Sequence, residues 1–375
     1  MKILIACGGT AGHIFPGLAL AEELEREQKN ARIVLVVSSR SRDREYLQAR
    51  RSRLAHAAVL SIASAPLPYK KLSPAVIVFA GKLIWAVLQS CIIFIRYRPD
   101  VVVGFGGNVS FAPVLIAKIF NVPTLIHEQN FIPGRANYYL ARLADRVAVS
   151  FRDTQRYFAK RGLPGKMVFT GLPLRQDMID RDTCFERGIK TGQDKKKFTI
   201  TIVGGSQGAH KINELMLQCL SSMIEEELKR LRVFHLTGKK DYNLVREKYQ
   251  TLPLENSVFE FFADMPKLYS VSDLLICRSG AGTIFEAASF GLPCILVPYP
   301  YGTEHQKQNA RFLHSLGAAL VLDEEKDSFK NLQNMLRKIV DDQQMRKSLS
   351  QKIKMLQVPQ ARQRLAQETI YLHKR

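Results

Sequence analysis

Two stretches of the chain open in the same way. Residues 2–25, KILIACGGTAGHIFPGLALAEELE, and residues 198–220, FTITIVGGSQGAHKINELMLQCL, each run from a short apolar segment through a glycine-rich turn into residues at helical spacing. β-Branched apolar runs then recur in both halves: ARIVLVV, DVVVGFG, VPTLIHEQ and DRVAVSF in the first, RVFHLTG, NSVFEFF, DLLICRSG and PCILVPY in the second. Amphipathic segments of about 10–15 residues separate them, and that alternation predicts βαβ units and parallel sheets. The expected fold class is α/β, two Rossmann-like doubly wound parallel-sheet domains facing across a cleft. Open sheets of this kind bind ligands beyond the carboxyl ends of their strands, where the glycine turns fall. The join is expected near RGLPGKMVFTGLPLRQD, residues 161–177, where glycine and proline cluster, which gives domains over 1–165 and 166–345. Residues 326–375 read as charged, strand-poor helical segments that can pack on either domain, with 346–375 set apart as a C-terminal helical segment.

A turn from strand to helix gathers backbone N–H groups and the positive end of a helix dipole at one point, which suits a phosphate. Four such turns occur: Gly8-Gly9-Thr10-Ala11-Gly12, Gly104-Phe105-Gly106-Gly107, Gly204-Gly205-Ser206-Gln207-Gly208 and Ser279-Gly280-Ala281-Gly282-Thr283. Any one of them can be no more than a tight βα connection; four together favour a phosphorylated ligand. CGGTAGHIFPG lacks the G-x-G-x-x-G spacing, NARIVLVVSSR does not end in a ribose-binding acid, and GGSQGAHK does not fit the P-loop pattern. Nicotinamide and nucleoside triphosphate chemistry are therefore disfavoured.

Several polar residues sit where such a ligand would be worked on. His13 directly follows the first turn and suits a proton acceptor at neutral pH, with a capping or packing role as the alternative. His127, Glu128 and Asn130 in LIHEQN cluster just past a strand end, either as ligand-facing groups or as a loop hydrogen-bond network. Glu286, four residues after Gly282, can accept both hydroxyls of a ribose whose phosphates rest at the helix N-terminus, or can simply complement the dipole. Gln306 and Asn309 are spaced for one helix face.

Charge and hydropathy narrow the partners. The net charge is +21, and residues 1–170 hold 24 Lys/Arg against 10 Asp/Glu, so the amino-terminal half is the basic one. That surplus suits nucleic acid, acidic lipid headgroups or nothing beyond solvation. The six cysteines stand singly, without CxxC pairs or zinc spacing, as reduced thiols would. MKILIACGG lacks the apolar region and cleavage site of a signal peptide. Residues 75–95 are long enough to span a bilayer, yet Lys82 lies mid-run and Gly81, Gln89 and Ser90 weaken it. As a helix, the run aligns Lys82, Gln89 and Arg96 in a polar stripe opposite a seam of Val76, Ala80, Leu83, Val87 and Cys91. Its further large residues predict an exposed interfacial patch, Phe79, Leu83, Ile84, Trp85 and Leu88 with Lys70, Lys71 and Lys82 among its basic residues; a buried core helix is the alternative.

GGTAGHIFPGLALA, GFGGNVSFAP, HEQN, GLPLR, GGSQGAHKIN, FADMPKLYSVSDLLICRSGAGTIFEAASFGLPCILVPYP and EHQKQNA follow one another in an order and spacing that resembles the MurG family. These are UDP-N-acetylglucosamine transferases that convert undecaprenyl-pyrophosphoryl-muramyl-pentapeptide (lipid I) to lipid II in peptidoglycan synthesis. The resemblance implies a GT-B glycosyltransferase: an acceptor-binding, membrane-associating first domain, a UDP-sugar-binding second domain, and a final helix returning to the first. It implies donor contacts from Thr10, Ala11, Gly12, Asn130, Arg175, Ser206, Gln207, Phe262, Ala281, Gly282, Thr283, Ile284, Phe285, Glu286 and Gln306. Gly106, Gly107 and Asn108 would meet the acceptor diphosphate, and His13 or Glu128 would receive the proton. No cofactor and no metal is implied, in keeping with the lack of a DxD-like carboxylate pair beside the glycine turns. Expected partners are the undecaprenyl-linked lipid acceptor and anionic inner-membrane lipids, with other cell-wall synthesis proteins as further candidates and no nucleic acid. The expected location is the cytoplasmic face of the inner membrane, held peripherally. Ala11, Leu172 and Asn108 depart from the glycine, asparagine and tyrosine usual in the family. Two rival readings are a transferase acting on diacylglycerol, against which HEQN speaks, and a nucleic-acid-binding protein, for which motif and aromatic interleaving are missing.

Overall fold

The computed structural model describes residues 1–40, 43, 47, 57–64, 74–160, 162–179, 197–205, 207–301 and 304–375. They form two compact units, Met1–Arg175 with Val358–Arg375, and Gln176–Gln357.

The first unit is built on β1 (Lys2–Ala6), β2 (Arg32–Ser38), β3 (Ala58–Ile62), β4 (Val101–Gly104), β5 (Thr124–Glu128), β6 (Arg146–Val149) and β7 (Met167–Phe169), in the order β3-β2-β1-β4-β5-β6-β7. Every pair is parallel. Its helices are α1 (Ala11–Glu27), α2 (Pro74–Tyr97), α3 (Gly107–Ile119), α4 (Arg135–Leu140) and α5 (Gln155–Ala159). The side-chain period of two explains the layering: Ile3 and Ile5 face Leu18 and Leu24 of α1, while Leu4 and Ala6 face Ala86 of α2 and Val109 of α3. Both faces of β1 are thus dry, and each fully buried Ile or Leu there contributes about 1.5–3 kcal/mol.

The second unit repeats the plan with β8 (Phe198–Val203), β9 (Leu231–Leu236), β10 (Glu255–Phe259), β11 (Leu274–Cys277), β12 (Cys294–Leu296) and β13 (Leu320–Val321), in the order β10-β9-β8-β11-β12-β13. Its helices are α6 (His210–Ser221), α7 (Glu225–Lys229), α8 (Tyr242–Gln250), α9 (Met265–Ser270), α10 (Ala281–Phe290), α11 (His305–Ser315), α12 (Phe329–Asp341) and α13 (Gln343–Lys354). The last helix, α14 (Ala361–Lys374), belongs to the first unit, where Leu365, Ala366 and Leu372 join the Ile3–Ile5 side of the core. The unit boundary falls at Arg175 rather than 165, because β7 completes the first sheet by pairing with β6. The return to the first unit begins at Val358 rather than 346, since α13 packs on α10.

Each sheet reverses its strand order once, between β1 and β4 in the first and between β8 and β11 in the second. Connections leave in opposite directions at such a point and open a crevice beyond the strand ends. Ala6 lies beside Gly104 and Val203 beside Cys277, so in each sheet two glycine turns emerge level with one another at that crevice. The four turns are therefore two pairs, one per unit.

The apolar run forms the single helix α2, and only 17% of its most apolar window is buried. That excludes the core-helix alternative. Ile77, Val78, Ile84, Trp85, Leu88, Ile92 and Ile95 are exposed, as is Lys82; Phe79 and Leu83 are half-buried. The buried line is Ala86, Ser90, Ile93 and Phe94, not the expected seam, of which Val76, Leu83, Val87 and Cys91 are half-buried and Ala80 is exposed. Gln89 also leaves the expected polar stripe, because its Oε1 accepts from Ala63 N–H (2.8 Å) at the end of β3. Ile119 and Phe120 at the end of α3 extend the exposed apolar surface, with the Phe120 ring 5.9 Å from that of Phe94. Lys70 and Lys71 lie outside the described residues.

Candidate functional site

In the first unit the β1–α1 turn is fixed by a buried carboxylate. Asp43 Oδ2 accepts from Gly9 N–H (2.7 Å), Ser38 N–H (3.1 Å) and the Ser38 hydroxyl (2.6 Å). Held in this way, the turn presents His13 two residues into α1. His13 Nδ1 lies 3.2 Å from the Gly8 carbonyl oxygen and 3.1 Å from Thr10 Oγ1. A carbonyl can only accept, so Nδ1 carries the hydrogen and in the neutral ring Nε2 holds the lone pair. Gly107, at φ +67°, makes room for this ring: a side chain there would come within 3.3 Å of the imidazole. The two glycine turns of the first crevice are thereby joined through His13. Thr10 and Gly12 are exposed beside it, and Ala11, Gly107 and Asn108 are half-buried, with Gly106 buried.

The end of β5 is a closed hydrogen-bond network. Glu128, buried, accepts at Oε1 from Asn130 N–H (2.8 Å) and Asn130 Nδ2 (3.2 Å), and at Oε2 from Gly134 N–H (2.9 Å) and Asn137 Nδ2 (2.8 Å). His127 donates from Nε2 to the Gly171 carbonyl (3.1 Å) and accepts at Nδ1 from Gln129 Nε2 (3.1 Å). Its burial lowers its pKa from 6.5 to about 4, so it is neutral at physiological pH. Asn137 also donates to the His127 carbonyl (2.9 Å) and stands against Gly106, where a Cβ would meet its amide at 2.9 Å. Of the open alternatives for HEQN, the loop network describes His127 and Glu128. Arg175 is buried in this unit with its guanidinium 4.8 Å over the Phe15 ring of α1.

The second unit carries a pocket of about 430 Å³ at its own crevice, lined by Gly204, Gly208, Ala209, His210, Lys211, Arg278, Tyr299, Tyr301, Gln306 and Glu324. Of the donor residues expected from the sequence, only Gln306 is among these. Its Oε1 accepts from Tyr299 N–H (3.0 Å), leaving the amide nitrogen as the donor it can offer a ligand. The Ser279 hydroxyl donates to the Gln306 carbonyl (2.8 Å) and Asn309 Nδ2 to the Ser279 carbonyl (3.1 Å), which ties α11 to the turn before α10. In α10 the side chains of Ala281, Ile284 and Phe285 are buried, so this segment meets a ligand through its N-terminal backbone, with Gly282 and Thr283 half-buried. Glu286 Oε2 accepts the Tyr269 hydroxyl (3.2 Å), which orients the carboxylate. Burial first, and Glu286 second, keep that phenol protonated. Phe262 is half-buried, its ring 4.9 Å from Phe259, and Gln207 is exposed; Ser206 lies outside the described residues.

The sequence reading missed Asp43, Asn137, His210, Arg278 and Tyr269. Each acts across a sequence separation that no local pattern spans. Among the described residues no three His, Cys, Asp or Glu side chains gather as a metal site.

Residues 3–149 match the Glycosyltransferase family 28 N-terminal domain and residues 199–365 the Glycosyltransferase family 28 C-terminal domain. The chain belongs to glycosyltransferase family 28, in its MurG branch. The UDP-N-acetylglucosamine–N-acetylmuramyl-(pentapeptide) pyrophosphoryl-undecaprenol N-acetylglucosamine transferase of Thermodesulfovibrio yellowstonii is 36% identical over 328 residues, 87% of this chain and 86% of its own length. The transferase of the same name from Lawsonia intracellularis is 38% identical over 328 residues, 86% of this chain and 84% of its own. The crystal structure of Acinetobacter baumannii MurG shares the fold with a TM-score of 0.75 at 27% identity, covering 99% of both chains. The two parallel-sheet units are thus those of a GT-B family 28 enzyme.

Proposed function

We propose that this family 28 member transfers N-acetylglucosamine from UDP-N-acetylglucosamine to the 4-hydroxyl of the muramyl sugar of undecaprenyl-pyrophosphoryl-MurNAc-pentapeptide, forming lipid II. The relatives named above carry this activity in their names. The observation that carries the catalytic assignment is His13, whose Nδ1 is engaged by the Gly8 carbonyl so that Nε2 is the basic atom. The acceptor oxygen bonds to the anomeric carbon, the bond from that carbon to the diphosphate breaks with its electron pair leaving on UDP, and His13 Nε2 takes the hydroxyl proton. The anomeric centre inverts to a β1,4 bond. N–H groups at the start of α10 meet the charge that develops on the diphosphate, and the scheme calls for no metal.

In this reading the second unit holds the donor, Glu286 accepting ribose hydroxyls and Gln306 donating to the sugar. The first unit supplies the base and, through Gly106, Gly107 and Asn108 at the N-terminus of α3, a seat for the acceptor diphosphate. Glu128, with four N–H donors on its two oxygens, positions Asn130 and the loop to Asn137 rather than acting as base. In the same reading the exposed face of α2 docks on lipid with Lys82 at its rim, and the protein works peripherally at the cytoplasmic face of the inner membrane.

The test is direct. Purified protein with labelled UDP-N-acetylglucosamine and a lipid I analogue should transfer sugar even in EDTA, and His13→Ala should lose about 10²–10⁴-fold in kcat. Absence of transfer to any polyprenyl-linked muramyl acceptor would overturn the reading.

A further inference from the structure

Behind the pocket of the second unit runs a polar chain that the chemistry above does not use. His210 opens α6 and lines the pocket. Its Nδ1 lies 3.1 Å from both oxygens of Asp241. Asp241 Oδ2 also accepts from Asn213 Nδ2 (2.7 Å), Asn213 Oδ1 accepts from His235 Nε2 (3.0 Å), and His235 Nδ1 accepts from the Tyr249 hydroxyl (2.8 Å). Asn213, His235 and Tyr249 are fully buried, whereas His210 is exposed. A buried network in which each member is satisfied is rigid, and this one ends on a surface imidazole, which folding alone does not require. The pocket's other cations already have carboxylate partners: Lys211 Nζ bonds Glu214 (3.0 Å), and Arg278 Nη1 bonds Glu324 (2.5 Å) and the Val297 carbonyl (3.1 Å). His210 Nε2 has no hydrogen-bond partner among the described residues.

We propose that His210, oriented by Asp241, binds the diphosphate of the nucleotide sugar as an imidazolium, donating Nε2–H to a phosphate oxygen. The proposal rests on the reading of the second unit as the donor site. A carboxylate at Nδ1 and a phosphate oxygen at Nε2 are both acceptors, so a ring that bridges them carries a hydrogen on each nitrogen. The charged and titratable groups around the imidazole fit this. Lys211 with Glu214 on α6, and Arg278 after β11 with Glu324 after β13, form neutral pairs; Tyr299 and Tyr301 line the pocket after β12. Asp241, ahead of α8 and directly after the exposed Lys239 and Lys240, is the carboxylate in contact with the ring. The same contact stabilises the charge that grows on the diphosphate as the glycosidic bond breaks.

Calorimetric titration of the intact protein with UDP-N-acetylglucosamine, without acceptor, tests this at about pH 6 and about pH 8.5, where imidazolium gives up its proton but a diphosphate diester does not titrate. The wild type should bind more weakly at the higher pH. His210→Gln should bind about tenfold or more weakly than wild type at the lower pH, while His210→Arg binds well at both and shows no pH slope. Unchanged melting temperatures, expected for an exposed position, separate lost contact from lost fold. Equal affinity of His210→Gln and wild type at pH 6, or a pH slope that persists in His210→Arg, would overturn the proposal. A wild type that binds no UDP-N-acetylglucosamine at either pH would instead overturn the donor-site reading, and this inference with it.

Discussion

Among the described residues two histidines, one in each unit, are buried and have their protonation state set by that burial, which makes stability depend on pH. Burial lowers the pKa of His127 from 6.5 to about 4 and that of His235 to about 3. An unfolded chain binds the proton near the ordinary value, so below about pH 6.5 the unfolded state holds more protons than the folded one and stability falls as pH falls. The loss is about 1.4 kcal/mol per histidine for each pH unit until the folded value is reached. Urea unfolding followed by circular dichroism should therefore show midpoints dropping between pH 7 and pH 5; a flat profile would show that these rings are protonated in the fold. Glu128 gives a second prediction at this scale. Its four donors leave no place for an amide N–H₂, so Glu128→Gln should cost about 1–3 kcal/mol of stability and lower transfer together with it. A base would behave otherwise, losing kcat with stability unchanged. These assignments were only half legible beforehand. HEQN announced a cluster, but the partners Asn137 and Gly171 that define its role come from other elements.

Among the elements, α2 shows where a one-dimensional pattern stops. Length, apolarity and the exposed Ile84, Trp85 and Leu88 follow from the run itself, because a helix this uniformly apolar has more surface than one sheet contact covers. The identity of the buried line does not. Gln89 is drawn in by the Ala63 amide just past β3, and Ser90 satisfies its own hydroxyl on the Ala86 carbonyl (2.7 Å), so these polar residues lie toward the packed side while Ile84, Ile92 and Ile95 lie on the open one. The glycine turns were the reverse case: strand, turn and helix are local, and their pairing at each crevice follows once the strand order is known. Replacing Ile84 and Trp85 by Asp should leave the melting temperature within about 1 °C, since neither packs in the core. Vesicle sedimentation should fall by about tenfold or more, because each large side chain withdrawn from lipid removes about 1.5–3 kcal/mol. Vesicle binding unchanged in that variant would mean that another surface does the docking.

For the whole molecule the uneven charge becomes a prediction about how binding divides into parts. Residues 1–170, which include α2, hold 24 Lys/Arg against 10 Asp/Glu, so a surface of acidic headgroups attracts this half well before apolar contact is made. Exposed charges are screened over about 10 Å at 0.1 M salt and about 3 Å at 1 M, whereas burial of Ile84, Trp85 and Leu88 is not weakened by salt. The two contributions can therefore be separated on the same vesicles. With anionic lipid, affinity should fall steeply as salt rises and then level at a residual value; with zwitterionic lipid it should start near that residual value and change little. The α2 variant should keep the steep part on anionic vesicles and lose the plateau. If salt removed binding completely in the wild type, the exposed apolar face would not be entering the bilayer, and vesicle binding would rest on charge alone.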